Sequence, residues 1–206
     1  LVKILLSNNA NHTAASLARQ ILTTSLKFKF ADVIVNCSRI LRRYAASQDD
    51  EKNYEVYDQY SKQYQNVLDA EIRSEELYQR VVMNYHKSHS KTADLLEKID
   101  TYCDALVGLP EIYDTPSVIY NMYLVRTYRY EMLHDFNAML EVCSKAENYI
   151  KENPQYYQSD KLATFQMKKM SAYLHLRDWK NGKIKAEKCL QSFPEGSETW
   201  FLYMEY

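Results

Sequence analysis

The stretch "AYLHLRDWKNGKIKAEKCLQSFPEGSETW" occupies residues 172–200. At its centre Leu176-Arg177-Asp178-Trp179 separates two helical patterns, and Leu133-His134-Asp135-Phe136 has the same order further upstream. Aligning the two gives an internal period of 43 residues. In that register Tyr130 falls on Tyr173, Phe136 on Trp179 and Ala146 on Cys189, and each second helix ends near a proline, Pro154 or Pro194. A weaker copy, "KFKFADVIVNCSRIL", puts Phe30, Cys37 and Ile40 in the corresponding places, with Phe30 standing for Phe136. A helix hairpin cannot bury its apolar face alone, so copies of one hairpin stack and share a core.

The rest of the chain agrees with helices. The 206 residues are 46% hydrophobic and 26% charged, an ordinary globular balance. Only three glycines and four prolines occur, too few for the turns of a sheet-rich protein. A formal net charge of -1 gives no overall positive field for nucleic acid or an anionic membrane. No apolar run reaches the ~20 residues a membrane span needs. Cys37, Cys103, Cys143 and Cys189 lie far apart, with no C-x-x-C pair, and read as reduced packing residues of a cytoplasmic protein.

Caps and breakers place a helix from Asn11 to about Leu26 and another over "FKFADVIVNCSRILRRYA". Helical periodicity then runs unbroken over about 52–87, a rod of ~50 Å if continuous; a break near Asp69 is the alternative. Ser90 opens the next helix, which stops at "GLPEIYDTP", where Gly108 suits a left-handed C-terminal residue and Pro110 ends the ladder. Thr115-Pro116 starts a hairpin of about 116–133 and 136–152, followed by one of about 159–176 and 179–192. Ser197 caps a last helix, "SETWFLYMEY", whose aromatics would be unsheltered at a chain end. The expectation is a chain cut within a longer protein, or self-association through that C-terminal helix. The domains expected are 1–110, N-terminal hairpins with the long helix, and 111–206, the clearer repeats.

Catalysis has little support. Three isolated glycines cannot form a phosphate-cradling loop. Glu131-x-x-His134 has the spacing of a di-iron bundle motif, but such sites need a second copy and two further carboxylates. His86 and His89 lack an evident third ligand. No nucleophile and base are grouped, so no cofactor, metal or catalytic residue is assigned. Nineteen tyrosines are the compositional oddity; most recur on apolar stripes, and the remainder suit recognition. Residues 161–188 carry eight basic and two acidic side chains, whereas 111–160 carry four basic and eight acidic, a polarity that could steer an acidic peptide.

Residues 172–200 resemble a tetratricopeptide repeat (TPR) and the start of another. The resemblance rests on Ala172 and Tyr173 in the first helix, "RDW" at the turn, Gly182 and Ala186 as close-contact residues, Cys189 for a usual alanine, Pro194 at the exit and Trp200 opening the next copy. It is looser over 117–154 and over 12–45; Met170 replaces a usual glycine, Met139 a usual alanine, and the period exceeds the usual 34. The resemblance implies an all-α, right-handed superhelix of antiparallel hairpins whose first helices line a concave, ligand-binding face. Carried onto this chain, that face is Asn121, Val125, Tyr128 and Met132 in one copy and Thr164, Lys168, Ser171 and His175 in the next, each set on one side of its helix. The function expected is a non-enzymatic scaffold binding a protein or peptide. Two rivals are a peptide-sensing regulator with its output domain outside this sequence and, less favoured, a carboxylate-bundle metal enzyme.

Overall fold

One backbone device recurs at five of the connections between helices. Asn9, Lys29, Asp49, His134 and Arg177 all adopt left-handed φ between 54° and 59°. In each case the N–H of the following residue reaches back five residues, for example Asp135 to the Tyr130 carbonyl (3.0 Å) and Asp178 to that of Tyr173 (2.9 Å). This closure satisfies carbonyls that the end of a helix leaves open. At three reversals the residue after the left-handed one is an aspartate that caps the next helix: Asp50 accepts from the Asn53 N–H, Asp135 from Ala138 and Asp178 from Asn181.

The computed structural model describes residues 1–87, 93–157, 159–192 and 195–196, with side-chain surroundings given for these except 86–87, 93–95, 110–111, 159 and 190–192. All its regular structure is helical: α1 (Val2–Ser7), α2 (Asn11–Phe28), α3 (Ala31–Ser47), α4 (Glu51–Lys87), α5 (Ala93–Val107), α6 (Leu109–Ile112), α7 (Pro116–Met132), α8 (Phe136–Glu152), α9 (Ser159–His175) and α10 (Trp179–Ser192). Among the described residues there is no strand, and no helix is long and apolar enough to cross a membrane.

Several expectations are refined. The long helix is continuous through Asp69. Residues 2–7 form the short helix α1. Gly108 is right-handed, with φ −75° and ψ −19°, because the chain continues directly into α6 instead of ending in a left-handed cap. Thr115 caps α7 as expected, its hydroxyl accepting from the Val118 N–H, with Pro116 in the first turn. The start expected at Ser90, the exit at Pro194 and the last helix from Ser197 lie outside the described residues.

The chain divides into two compact units, Leu1–Arg73 and Ser74–Tyr206, so the division falls within α4 and the connection near residue 110 lies inside the second unit. In the first unit, Ala15, Ala18 and Leu22 of α2 meet Ile34, Cys37 and Leu41 of α3, and Tyr57, Tyr60 and Tyr64 of α4 close over them. Alanines on α2 let the two helix backbones approach, and the tyrosine rings fill the space above.

In the second unit the 43-residue period is visible in the helix bounds. Helices α7 and α9 start at 116 and 159 and end at 132 and 175, and their partners start at 136 and 179. Met139 and Gly182 are both buried, as are Ala146 and Cys189. At Gly182 α10 lies close to α9, and an added Cβ would sit at ordinary contact distance, 3.5 Å from Leu174 Cδ2 and 3.7 Å from Tyr173 Cβ. One core joins Leu77, Val81, Ile99, Cys103, Leu106, Val125 and Met132; the other joins Leu124, Met139, Cys143, Ala146, Ile150, Phe165 and Ala172.

Candidate functional site

Contacts along three helices of the second unit show that they run side by side in one direction. The Asn121 amide donates to Ser74 Oγ at 3.0 Å, and further along both helices Tyr85 meets Tyr128 edge-on, 5.0 Å between centroids. In the same way Tyr120 meets Phe165 at 5.6 Å, and beyond it Lys168 reaches Glu131. The C-terminal part of α4, then α7, then α9 therefore form adjacent parallel rods. Tyr85, Tyr128 and Ser171 stand at equivalent positions, 43 residues apart, and all three are half-buried.

This arrangement decides where each expected binding residue lies. Val125 (1% exposed) and Met132 (5%) are in the core with Leu77, Val81 and α5, which corrects their reading as ligand contacts. Their apolar side chains face other helices of the same unit. Asn121 spends its amide on Ser74. Tyr128 is wedged between Tyr78, Tyr85 and Lys168. On α9, Thr164 is half-buried and donates to the Asp160 carbonyl at 3.0 Å. Lys168 is 9% exposed and internally paired, a second correction to the expected open face. Ser171 is half-buried, and exposed His175 lies flat on Phe136, 4.3 Å between centroids and 3° between planes.

At the heart of the arrangement Lys168 Nζ donates to Glu131 Oε2 at 2.7 Å and sits 3.9 Å from the centre of the Tyr128 ring and 5.7 Å from that of Tyr85. The carboxylate and two π-faces replace the water that burial strips from the ammonium. Burial pushes the Tyr78 and Tyr85 hydroxyls up to about 12, the Glu131 charge adding to the effect at Tyr85, and burial also raises Tyr128. These phenols stay neutral donors throughout the physiological range. With Glu131 held by Lys168, and His134 at a left-handed turn position with its ring 5.7 Å from Phe136, the two are engaged in folding contacts. His89 lies outside the described residues, as do the side-chain surroundings of His86.

A second charged centre was missed. Glu147, 5% exposed, lies 3.2 Å from Lys169 Nζ, 3.7 Å from Lys185 and 3.9 Å from Lys151. Adjacent lysines of α9 thus point to opposite sides, Lys168 to α7 and Lys169 to α8. Burial lowers the Lys185 ammonium below its ordinary value. The signal was in the sequence: Glu147 falls at helical spacing from Cys143 and Ile150, on the buried stripe of α8.

Compared with protein-family models, curated proteins and solved structures, the chain matches none.

Proposed function

We propose that this chain is a non-enzymatic scaffold that binds a protein or peptide along a TPR-like array of helix hairpins. The observation that carries the reading is the row of parallel helices on which Tyr85, Tyr128 and Ser171 recur at one level, half-buried, beside the Lys168–Glu131 pair. Tyrosines fixed by neighbours offer contact area and hydroxyl groups with little entropy left to lose, which is what a recognition surface requires. The polar tilt of the sequence, acidic over 111–160 and basic over 161–188, favours an extended ligand lying across both copies. Four buried free thiols support a reducing, cytoplasmic setting.

The test is selection from a random peptide-display library on the folded chain, followed by titration of enriched peptides against wild type and Ser171→Trp. Ser171 is half-buried, and the melting temperature of the variant reports whether the fold is intact. Saturable binding weakened at least tenfold by Ser171→Trp is expected. Peptides that bind both proteins equally would remove this face from the proposal.

A further inference from the structure

On the far side of α7 from Tyr128, helices α5, α7 and α8 line a solvent-open pocket of about 360 Å³, with Asp104, Glu141 and Lys145 exposed at its rim. That is the lower end of the range for small-molecule pockets, roughly 300–1,000 Å³. Cys103 and Val107 of α5, Tyr130 of α7 and Val142 of α8 supply apolar wall. Burial pushes the Cys103 thiol up to about 12, so it is a neutral wall group. Charged residues also line the pocket, and most are satisfied. Lys145 bonds Glu141 at 2.6 Å, and Arg129 donates to Asp100 outside the lining. Two opposite charges remain, Arg126 on α7 and Asp104 on α5, and neither forms a hydrogen bond or ion pair with a described residue. Half-buried Arg126 has lost part of its hydration without gaining a protein partner.

We infer that this pocket binds a small zwitterion of the amino-acid class, its carboxylate on the Arg126 guanidinium, its ammonium on Asp104 and its side chain against Tyr130, Val107 and Val142. A guanidinium holds a carboxylate through two parallel hydrogen bonds, and the separate carboxylate selects a ligand that also carries a positive group. A lone anion such as phosphate would leave Asp104 without a counter-charge and meet it as a repulsive neighbour. The site is independent of the peptide face, since residues 126 and 128 project from α7 in nearly opposite directions.

The experiment is an NMR titration of the whole chain with L-leucine, N-acetyl-L-leucine and L-leucinamide. Leucine should shift the resonances of Asp104, Arg126 and Tyr130 saturably at millimolar concentration, and each blocked derivative should bind at least tenfold more weakly. Arg126→Gln should make leucine and leucinamide equivalent, and Asp104→Asn should do the same for leucine and N-acetyl-leucine. Ser171→Trp should leave leucine binding unchanged, which separates this site from the proposed peptide face. The absence of a saturable shift, or equal binding of leucine and N-acetyl-leucine, would overturn the assignment.

Discussion

Lys168 of α9 holds Glu131 of α7 at 2.7 Å, and the two side chains are only 11% and 14% exposed. An ion pair so shielded stabilises little relative to an apolar pair of the same shape, yet loss of one partner strands the other charge. Glu131→Gln should therefore destabilise the fold by about 2–3 kcal/mol, below the roughly 3–5 kcal/mol of a fully buried pair because some solvent still reaches it. Lys168→Met together with Glu131→Gln should cost less than the sum of the two single changes. Urea denaturation of the four proteins in a double-mutant cycle measures the coupling; strictly additive losses would show that the pair does not act as a unit.

The hairpins were legible because their punctuation is chemical: "LHD" and "LRD" announce a reversal followed by an aspartate cap, and the helices on either side begin and end in step. The N-terminal copy is displaced by one residue. Phe30 looked like the counterpart of Phe136 but stands at the cap position held by Asp135, each being the residue after a left-handed one. In the observed register Ile34, Ser38, Leu41 and Ala45 match Met139, Cys143, Ala146 and Ile150, all of them buried. The face of α7 was misread for a different reason. Helical spacing shows which residues share a side, and it does not show that Leu77, Val81 and Ile99, distant in sequence, cover that side. The same contacts mean that truncating Tyr128 and Lys168 together, which the open-face reading expects to spare stability, lowers the melting temperature.

Arg177 tests the reversal itself. A side chain in the left-handed region costs roughly 1–2 kcal/mol through contact of Cβ with the following carbonyl, and glycine escapes that cost while giving up chain entropy on folding. Exposed Arg177→Gly should stabilise the protein by about 0.5 kcal/mol, and Arg177→Val should destabilise it, because β-branching adds to the crowding. Asp135→Ala at the preceding hairpin should cost about 1 kcal/mol by leaving the Ala138 N–H without its acceptor. Thermal melts compared at equal protein concentration check all three signs.

The tyrosines predict an alkaline limit. Tyr78, Tyr85 and Tyr120 titrate near 12 in the folded protein, chiefly through burial, and near 10 in an unfolded chain. Between these values the unfolded state has released protons that the folded state keeps, so stability falls as pH rises from about 10 to about 12. Lys185, lowered by burial, acts in the opposite sense over the range below its ordinary value of 10.5. The urea midpoint should therefore decline across this window, and Tyr85→Phe should make the decline shallower. A midpoint independent of pH there would contradict the burial of these phenols.

Cysteine chemistry reads out how the second unit opens. Cys143 is fully buried on α8 and its thiol is pushed up to about 12, and Cys189, also fully buried, is raised to about 11. Only the thiolate attacks a disulfide reagent, so at pH 8 the native protein should react slowly and the urea-unfolded protein at all four cysteines. The two sites should differ in rate. Among the described residues Cys189 lies against the Ala163 carbonyl and α10 packs chiefly on α9, so separation of these two helices frees it. Cys143 shares its core with Leu124, Phe165 and Ala172, and exposing it requires α7, α8 and α9 to separate. Local openings that break fewer contacts occur at lower free energy. Mass spectrometry after timed labelling should accordingly find Cys189 modified before Cys143, and modification of both at one rate would mean that the hairpins of this unit open only together.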